Sequence, residues 1–282
     1  MPIDVDAERN RADLGSALRS LRAERGLTAD RLAVRVHMSP AKLSKIENGR
    51  VTPSALDVER ILTALDVGSD VRDEVIQLAQ AASTDYRTWR EYRRFGLSLK
   101  QREIAALEAQ TQHLRMFQHA LIPGLLQIGP YMSAVLSMDN PERDEVARVV
   151  EERQQRRAVL ADDSRQFVLI TTESALRWRV ADNQVMSDQL DHLLSVSSMP
   201  NVRLGVVPLA VRAHEVPLTS FCLYDDRLCT VETFSGEVIF RDPRDVAIHQ
   251  KTFRRFEELA VFDDSARAVL GTVGMQYRMA DS

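Results

Sequence analysis

Cysteine is nearly absent: Cys222 and Cys229 are the only two, too few for a disulfide framework or a four-ligand zinc site. No apolar run approaches the roughly 20 residues a membrane span needs. Residues 1–11 are acidic and polar where a secretory signal would carry an apolar core. Eleven glycines and ten prolines exclude a collagen-like or low-complexity chain. A global positive field is also missing. With 37 basic against 41 acidic residues the net charge is -4, so any affinity for nucleic acid must come from a local patch. There is no P-loop, no G-x-G-x-x-G and no serine in a G-x-S-x-G elbow. His113 and His119 lie six apart, and adding His192, His214 and His249 creates no metal-ligand spacing. Glu173, Glu232 and Asp242 are candidate acids that nothing in the sequence brings together. The expectation is a cytoplasmic protein without metal, cofactor or catalytic set.

What is present fits two domains: 282 residues, 44% hydrophobic and 28% charged, can bury real cores. Residues 12–82 read as five short helices. Leu14, Leu18 and Leu21 share a face, and Gly26 follows as a stop. Thr28 is placed to cap a second helix burying Leu32, Ala33 and Val36. Ser39-Pro40 is an N-cap followed by proline at the first helical position, opening a third helix through Leu43 and Ile46 to Asn48-Gly49. Ser54-x-x-Asp57 resembles a capping box for a fourth, with Val58, Ile61, Leu62 and Leu65 inward. Val71, Val75 and Leu78 mark a fifth.

The connection Val36-His37-Met38-Ser39 holds the third helix across the second, and a helix offered by its N-terminal end fits the DNA major groove. Pro40, Ala41, Lys42, Ser44 and Lys45 form its exposed face, with Leu43 and Ile46 anchoring the other side. Within residues 12–50 eight cations (Arg19, Arg22, Arg25, Arg31, Arg35, Lys42, Lys45, Arg50) oppose four acids (Asp13, Glu24, Asp30, Glu47), a local excess of +4. That is the sign phosphate binding requires.

Leu21-Arg22-Ala23-Glu24-Arg25-Gly26-Leu27-Thr28, then Leu32-Ala33, Ser39 and Leu43-Ser44-Lys45-Ile46-Glu47-Asn48-Gly49-Arg50, resemble the phage-repressor-type helix-turn-helix of the Xre family. The match covers about residues 12–66. The resemblance implies a largely buried ion pair, Arg22–Glu47, and DNA contacts from Thr28, Ser39, Pro40, Ala41, Lys42, Ser44, Lys45, Asn48 and Arg50. Three positions depart from the family pattern: His37 stands where a turn glycine is usual, Ala29 replaces a phosphate-binding glutamine, and Pro40-Ala41 replace polar base readers. Direct readout is then expected from Ser44 and Lys45, with Ala41 against a thymine methyl.

Residues 84–99 read as a basic aromatic linker helix, with Tyr86, Trp89, Tyr92 and Phe95 interleaved with Arg87, Arg90, Arg93 and Arg94. The aromatic stripe is expected to pack, since duplex DNA exposes no base faces. The remainder, 100–282, reads as α+β. A long amphipathic helix through Ile104, Leu107, Leu114 and Phe117 ends at Pro123-Gly124, and a polar helix over 142–160 follows. Strands are predicted at 167–171, 202–207, 220–224, 228–233 and 238–241, with helices near 186–194 and over 246–270. Asp225-Asp226 is the expected hairpin turn, which would set Cys222 opposite Cys229. The string Phe117-Gln118-His119-Ala120-Leu121-Ile122-Pro123-Gly124-Leu125-Leu126-Gln127, with Tyr131, Arg153, Arg156, Gln189-Leu190 and Val231-Glu232, resembles the C-terminal domain of actinobacterial WhiJ-like regulators.

The fold class expected is therefore multi-domain, an all-α helix-turn-helix over 1–83 followed by an α+β domain over 100–282. The resemblance implies an antitoxin-like, nucleoid-associated transcription regulator that binds double-stranded DNA and takes a small acidic partner protein. Because one reading helix contacts only a few base pairs, a homodimer is expected, with the C-terminal domain aiding dimerisation. A small-molecule-responsive repressor is the alternative; an enzyme fused to a DNA-binding module is the third reading.

Overall fold

The computed structural model describes residues 5–90, 92, 97–138 and 143–280. The chain divides into two compact units, 1–86 with 238–246, and 87–237 with 247–282. Residues 238–246 fall with the first unit, a long-range association that local sequence pattern does not signal.

The first unit carries α1 (Val5–Glu24), α2 (Ala29–Arg35), α3 (Pro40–Glu47), α4 (Ala55–Ala64) and α5 (Ser69–Ser83). Its core joins Leu14 and Leu18 of α1 to Leu32, Leu43, Ile46 and Ile61. The caps form where the side chains require them. Thr28 Oγ1 accepts from the Arg31 amide and Ser39 Oγ from the Lys42 amide, while Ser54 and Asp57 close a reciprocal capping box. Val71, expected to face inward, is exposed.

Helices α1, α2 and α3 end alike. At each end two amides bond back to carbonyls of the last turn: Gly26 to Ala23 and Leu27 to Arg22, His37 to Val34 and Met38 to Ala33, Gly49 to Ile46 and Arg50 to Lys45. This closure places the residue after the cap in the left-handed region. Gly26 (φ +63°) and Gly49 (φ +66°) adopt it freely; His37 (φ +54°) adopts it at a steric cost.

After α5 the chain continues with β1 (Thr84–Thr88) and α6 (Leu97–Ala109), which precede β2 (His113–Gln118). Next come α7 (Gly129–Ser137), α8 (Arg143–Arg156) and β3 (Gln166–Thr172). α9 (Glu173–Arg177), α10 (Asn183–Val196) and β4 (Val202–Val207) follow. β5 (Phe221–Tyr224), β6 (Leu228–Glu232) and β7 (Gly236–Phe240) lead to α11 (Pro243–Leu259) and α12 (Asp263–Met279). The mixed sheet has the order β1-β7-β6-β5-β2-β3-β4, with β2, β3 and β4 parallel and β5 antiparallel to both β2 and β6.

Three expectations are corrected here. The long helix through Leu114 and Phe117 stops at Ala109, and β2 follows as an interior strand. His113-Leu114-Arg115-Met116 alternates with period two, burying Leu114 and Met116, and that alternation outweighs the helical spacing of Leu107 and Leu114. The linker helix over 84–99 begins instead as β1: Thr84, Tyr86 and Thr88 are strand-forming types, and the Trp89 amide bonds the Ser235 carbonyl. The β5–β6 turn has three residues, 225–227, with Asp225 left-handed (φ +52°). That slips the register by one, so Cys222 faces Thr230 and Cys229 faces Leu223. The helical spacing expected over 246–270 is borne out as two helices, separated where Val261 pairs with Val206.

Candidate functional site

The Arg22 guanidinium donates from Nε to Glu47 Oε1 at 2.6 Å, from a terminal nitrogen to Oε2 at 2.8 Å, and from the other to the Leu27 carbonyl at 2.7 Å. Glu47 is 3% exposed and Arg22 15%. The hydrogen bond to Glu47 raises the guanidinium above its ordinary pKa, more than burial lowers it. The pair ties α1 to the last turn of α3. α1 can approach because Gly15 has no side chain: a Cβ there would lie 2.7 Å from the Ile46 carbonyl oxygen. Gly15 was not among the residues singled out from the sequence. Its signal was a lone glycine inside a helical pattern.

The eight cations of residues 12–50 separate into two groups of four. Arg19 donates to Asn48 Oδ1, Arg22 holds Glu47, and Arg25 donates to the Leu65 and Asp66 carbonyls at the end of α4. Lys42 binds Asp57, its Nζ 2.8 Å from Oδ2. Burial pushes the Asp57 carboxyl up, but the Lys42 and Ser54 hydrogen bonds outweigh it and hold it below the usual carboxylate range. Arg31, Arg35, Lys45 and Arg50 are exposed and have no side-chain partner among the described residues.

Of the nine candidate DNA contacts, Thr28 and Ser39 are caps at the starts of α2 and α3, with their N–H ends open. Pro40, Ala41, Ser44 and Lys45 are exposed on α3. Lys42 is on that face, but its ammonium is engaged. Asn48 is exposed yet committed, donating to the Ser44 carbonyl at 2.7 Å while accepting from Arg19. Arg50 follows the α3 cap unpaired.

A helix pair of this geometry, with capped N-termini and a small, basic, exposed face on the second helix, defines a helix-turn-helix DNA-binding protein of the transcription-regulator class. A family model described as a helix-turn-helix domain matches residues 13–75. A second, described as a domain of unknown function (DUF5753), matches residues 101–272, more than half of the chain; the chain belongs to that family.

No curated protein matches the chain. Among solved structures it is similar to the clp gene regulator ClgR from C. glutamicum: 37% identity over 25% of this chain and 91% of that one, TM-score 0.23. NucT from Helicobacter pylori is 10% identical over 64% of this chain and 98% of its own, TM-score 0.36. The archaeal chromatin protein TrmBL2 is 10% identical over 73% and 66%, TM-score 0.33. These scores are too low to establish a shared overall architecture.

The second unit encloses a cavity of about 760 Å³. Lys100 is buried at its wall, bonded to Glu232, with its ammonium 3.9 Å above the Trp89 ring. Arg156 clasps Glu108 through two bonds of 2.6 and 3.0 Å. Burial works against the Glu232 charge, but Lys100, Arg153 and Arg156 outweigh it and hold its pKa low. Glu237 goes the other way: burial and the Glu232 charge raise it in spite of Lys100. Two acids with shifted pKa, Glu232 and Glu237, thus line the cavity. Glu232 is the one candidate acid there; Glu173 and Asp242 pair with Arg177 and Arg244 instead. Burial pushes the Cys222 and Cys229 thiols up, which keeps them protonated and unreactive.

Of the aromatic stripe, Trp89 donates to the Thr233 carbonyl and Tyr92 is buried with its hydroxyl on Glu103 and Glu237. Both side chains pack, as expected of the stripe, whereas Tyr86 is exposed. Phe95, Arg93 and Arg94 lie outside the described residues. Much of the Phe117–Gln127 string is structural as well: Phe117 stacks on Phe256 with ring centroids 3.8 Å apart, and Gln127 donates to the Ile122 carbonyl. Among the described residues no cluster of His, Cys, Asp and Glu could hold a metal ion, and no helix is long and apolar enough to cross a membrane.

Proposed function

We propose that the chain is a sequence-specific transcription regulator of the Xre, WhiJ-like type, working in the cytoplasm on nucleoid DNA. It inserts α3 into the major groove, with Ser44 and Lys45 reading base edges and Ala41 against a thymine methyl. Thr28 and Ser39 bring helix N-termini to phosphates, and Arg31, Arg35 and Arg50 add charge. The observation that carries this reading is the set of four unpaired cations around a capped, exposed helix in an otherwise acidic chain. Lys42 and Asn48 serve mainly to fix that helix. One reading helix covers few base pairs, so the protein acts as a homodimer with two reading helices one helical turn apart.

Footprinting on genomic fragments tests this. Lys45→Ala relaxes base preference, while Arg50→Ala weakens binding to all sequences and reduces the salt slope by about one unit. Equal effects of both variants on every sequence would overturn the assignment. The four cations of residues 12–50 that are unpaired among the described residues contribute no more than about -4 per protomer to the slope of log K against log salt.

The second unit receives the signal that sets DNA affinity. The antitoxin-like resemblance favours a small acidic partner protein as that signal. The cavity favours a small molecule, being within the roughly 300–1,000 Å³ range of ligand sites. Its role is binding rather than catalysis: the Glu108 and Glu232 carboxylates are engaged in ion pairs, and burial holds the Cys222 thiol protonated.

A further inference from the structure

Among the charged groups lining the cavity, Lys100 and Arg156 have acids of their own, Glu232 and Glu108, and Glu145 is itself engaged. Arg153 differs. It lines the cavity from α8, its Nε is sealed from solvent without a hydrogen-bond partner, and it forms no ion pair among the described residues. A guanidinium is an always-charged donor, and leaving one in a low-dielectric wall without an acceptor is unfavourable. Burial and the neighbouring Arg156 charge lower its affinity for the proton more than the Glu232 charge, already bonded to Lys100, raises it. Glu152, the preceding residue, also has an unpartnered oxygen, but it does not line the cavity.

A second polar group is incomplete at the same place. Gln127 donates through Nε2 to the Ile122 carbonyl and leaves Oε1 buried with no donor. The rest of the wall includes Ile104, Leu121, Val135 and Leu136, half-buried apolar side chains that line the cavity.

We infer that this cavity binds a small organic anion: one carboxylate or similar acid group docks on Arg153, a hydroxyl or N–H donates to Gln127 Oε1, and an apolar body lies against Ile104, Leu121, Val135 and Leu136. The inference rests on the reading of the second unit as the signal-receiving part and names the chemical class of that signal. An ionic hydrogen bond from guanidinium to carboxylate is short, strong and directional, so it supplies selectivity as well as affinity. The apolar wall alone would hold neutral and charged ligands alike.

A matched pair of fluorescent probes tests this on the full chain: 1-anilinonaphthalene-8-sulfonate, and N-phenyl-1-naphthylamine, which has the same rings and N–H but no charge. Arg153→Met weakens the anion at least tenfold and changes the neutral probe less than threefold. Leu136→Trp, which fills the cavity, abolishes both; Ile104→Trp replaces it if that variant does not fold. Arg153→Met also melts at or above wild type, because an unpaired charge has been removed from a wall. Three outcomes overturn the inference: anion affinity unchanged by Arg153→Met, anion binding surviving a filled cavity, or Arg153→Met melting several degrees lower, which would make Arg153 a support of the fold. DNA protection by the same proteins is scored separately, so a chain that protects DNA but ignores the anion overturns this inference alone.

Discussion

Replacing Glu47 by alanine strands the Arg22 guanidinium between α1 and α3, with the Leu27 carbonyl its one remaining acceptor among the described residues. An exposed ion pair would contribute only about 0–1 kcal/mol. This pair is bidentate with both partners largely out of water, so breaking it from one side costs about 3–5 kcal/mol. Arg22→Ala falls at the lower end, because Arg19 Nε already stands 4.0 Å from Glu47 Oε2 and half of its side chain is free to close in. For a unit of this size each kcal/mol shifts Tm by about 4–8 °C, so Glu47→Ala lowers the melting of the first unit by at least about 12 °C. Removing both charges together, as Arg22→Met with Glu47→Leu, returns stability to near wild type, with a coupling energy of at least about 2 kcal/mol. Calorimetry on the full chain reads this. A Glu47→Ala cost below about 1 kcal/mol, or a double variant that loses the sum of the two singles, would refute the buried-pair reasoning.

Gly15→Ala gains up to about 1 kcal/mol of helix propensity but drives a methyl into the Ile46 and Glu47 backbone, an overpacking cost of about 1–3 kcal/mol, so the same calorimetric transition falls. His37→Gly relieves a left-handed residue worth about 1–2 kcal/mol and loses about 0.4–1 kcal/mol to unfolded-state entropy; urea titration should show a net gain of roughly 0.5–1 kcal/mol. Asp57 has its pKa lowered on folding, so its contribution is present above the unfolded carboxylate pKa of about 4 and is lost as pH falls through the lower folded value. Asp57→Asn therefore flattens the acid limb of the stability profile of the first unit, measured by circular dichroism, and a profile identical to wild type below pH 4 would contradict this.

The parts of this fold that were legible share one property: their cause lies within a few residues. Thr28, Ser39 and the Ser54–Asp57 box cap helices because each hydroxyl stands three residues before the amide it accepts from, and the Asp57 carboxylate three residues after the Ser54 amide. Pro40, Gly26 and Gly49 act through their own backbone. The buried face of Leu32, Leu43 and Ile46 follows from helical spacing. The Arg22–Glu47 pair was available through resemblance, and its geometry is that of a bidentate bond. Charge counting went less far. It gave the right local sign, yet could not separate Lys42, which serves Asp57 on another helix, from Lys45, which serves nothing within the unit.

The misread segments were those whose partners are distant. β2 borders β3 and β5, 53 and about 110 residues away, so its helical and strand spacings could be ranked only once those neighbours were in place. The Cys222 register turned on one extra residue in a turn, a difference too small for composition to show.

By itself, then, the order of residues determined a capped helix pair with a cationic exposed face, because capping, helical periodicity and left-handed termini are short-range effects. The tertiary structure alone decided which four of the cations in 12–50 remain unpaired among the described residues, which strands lie inside the sheet, and that Arg153 lines a cavity with its Nε unpartnered. Those outcomes depend on which distant groups meet, and burial assigns each charge its partner only when the chain closes.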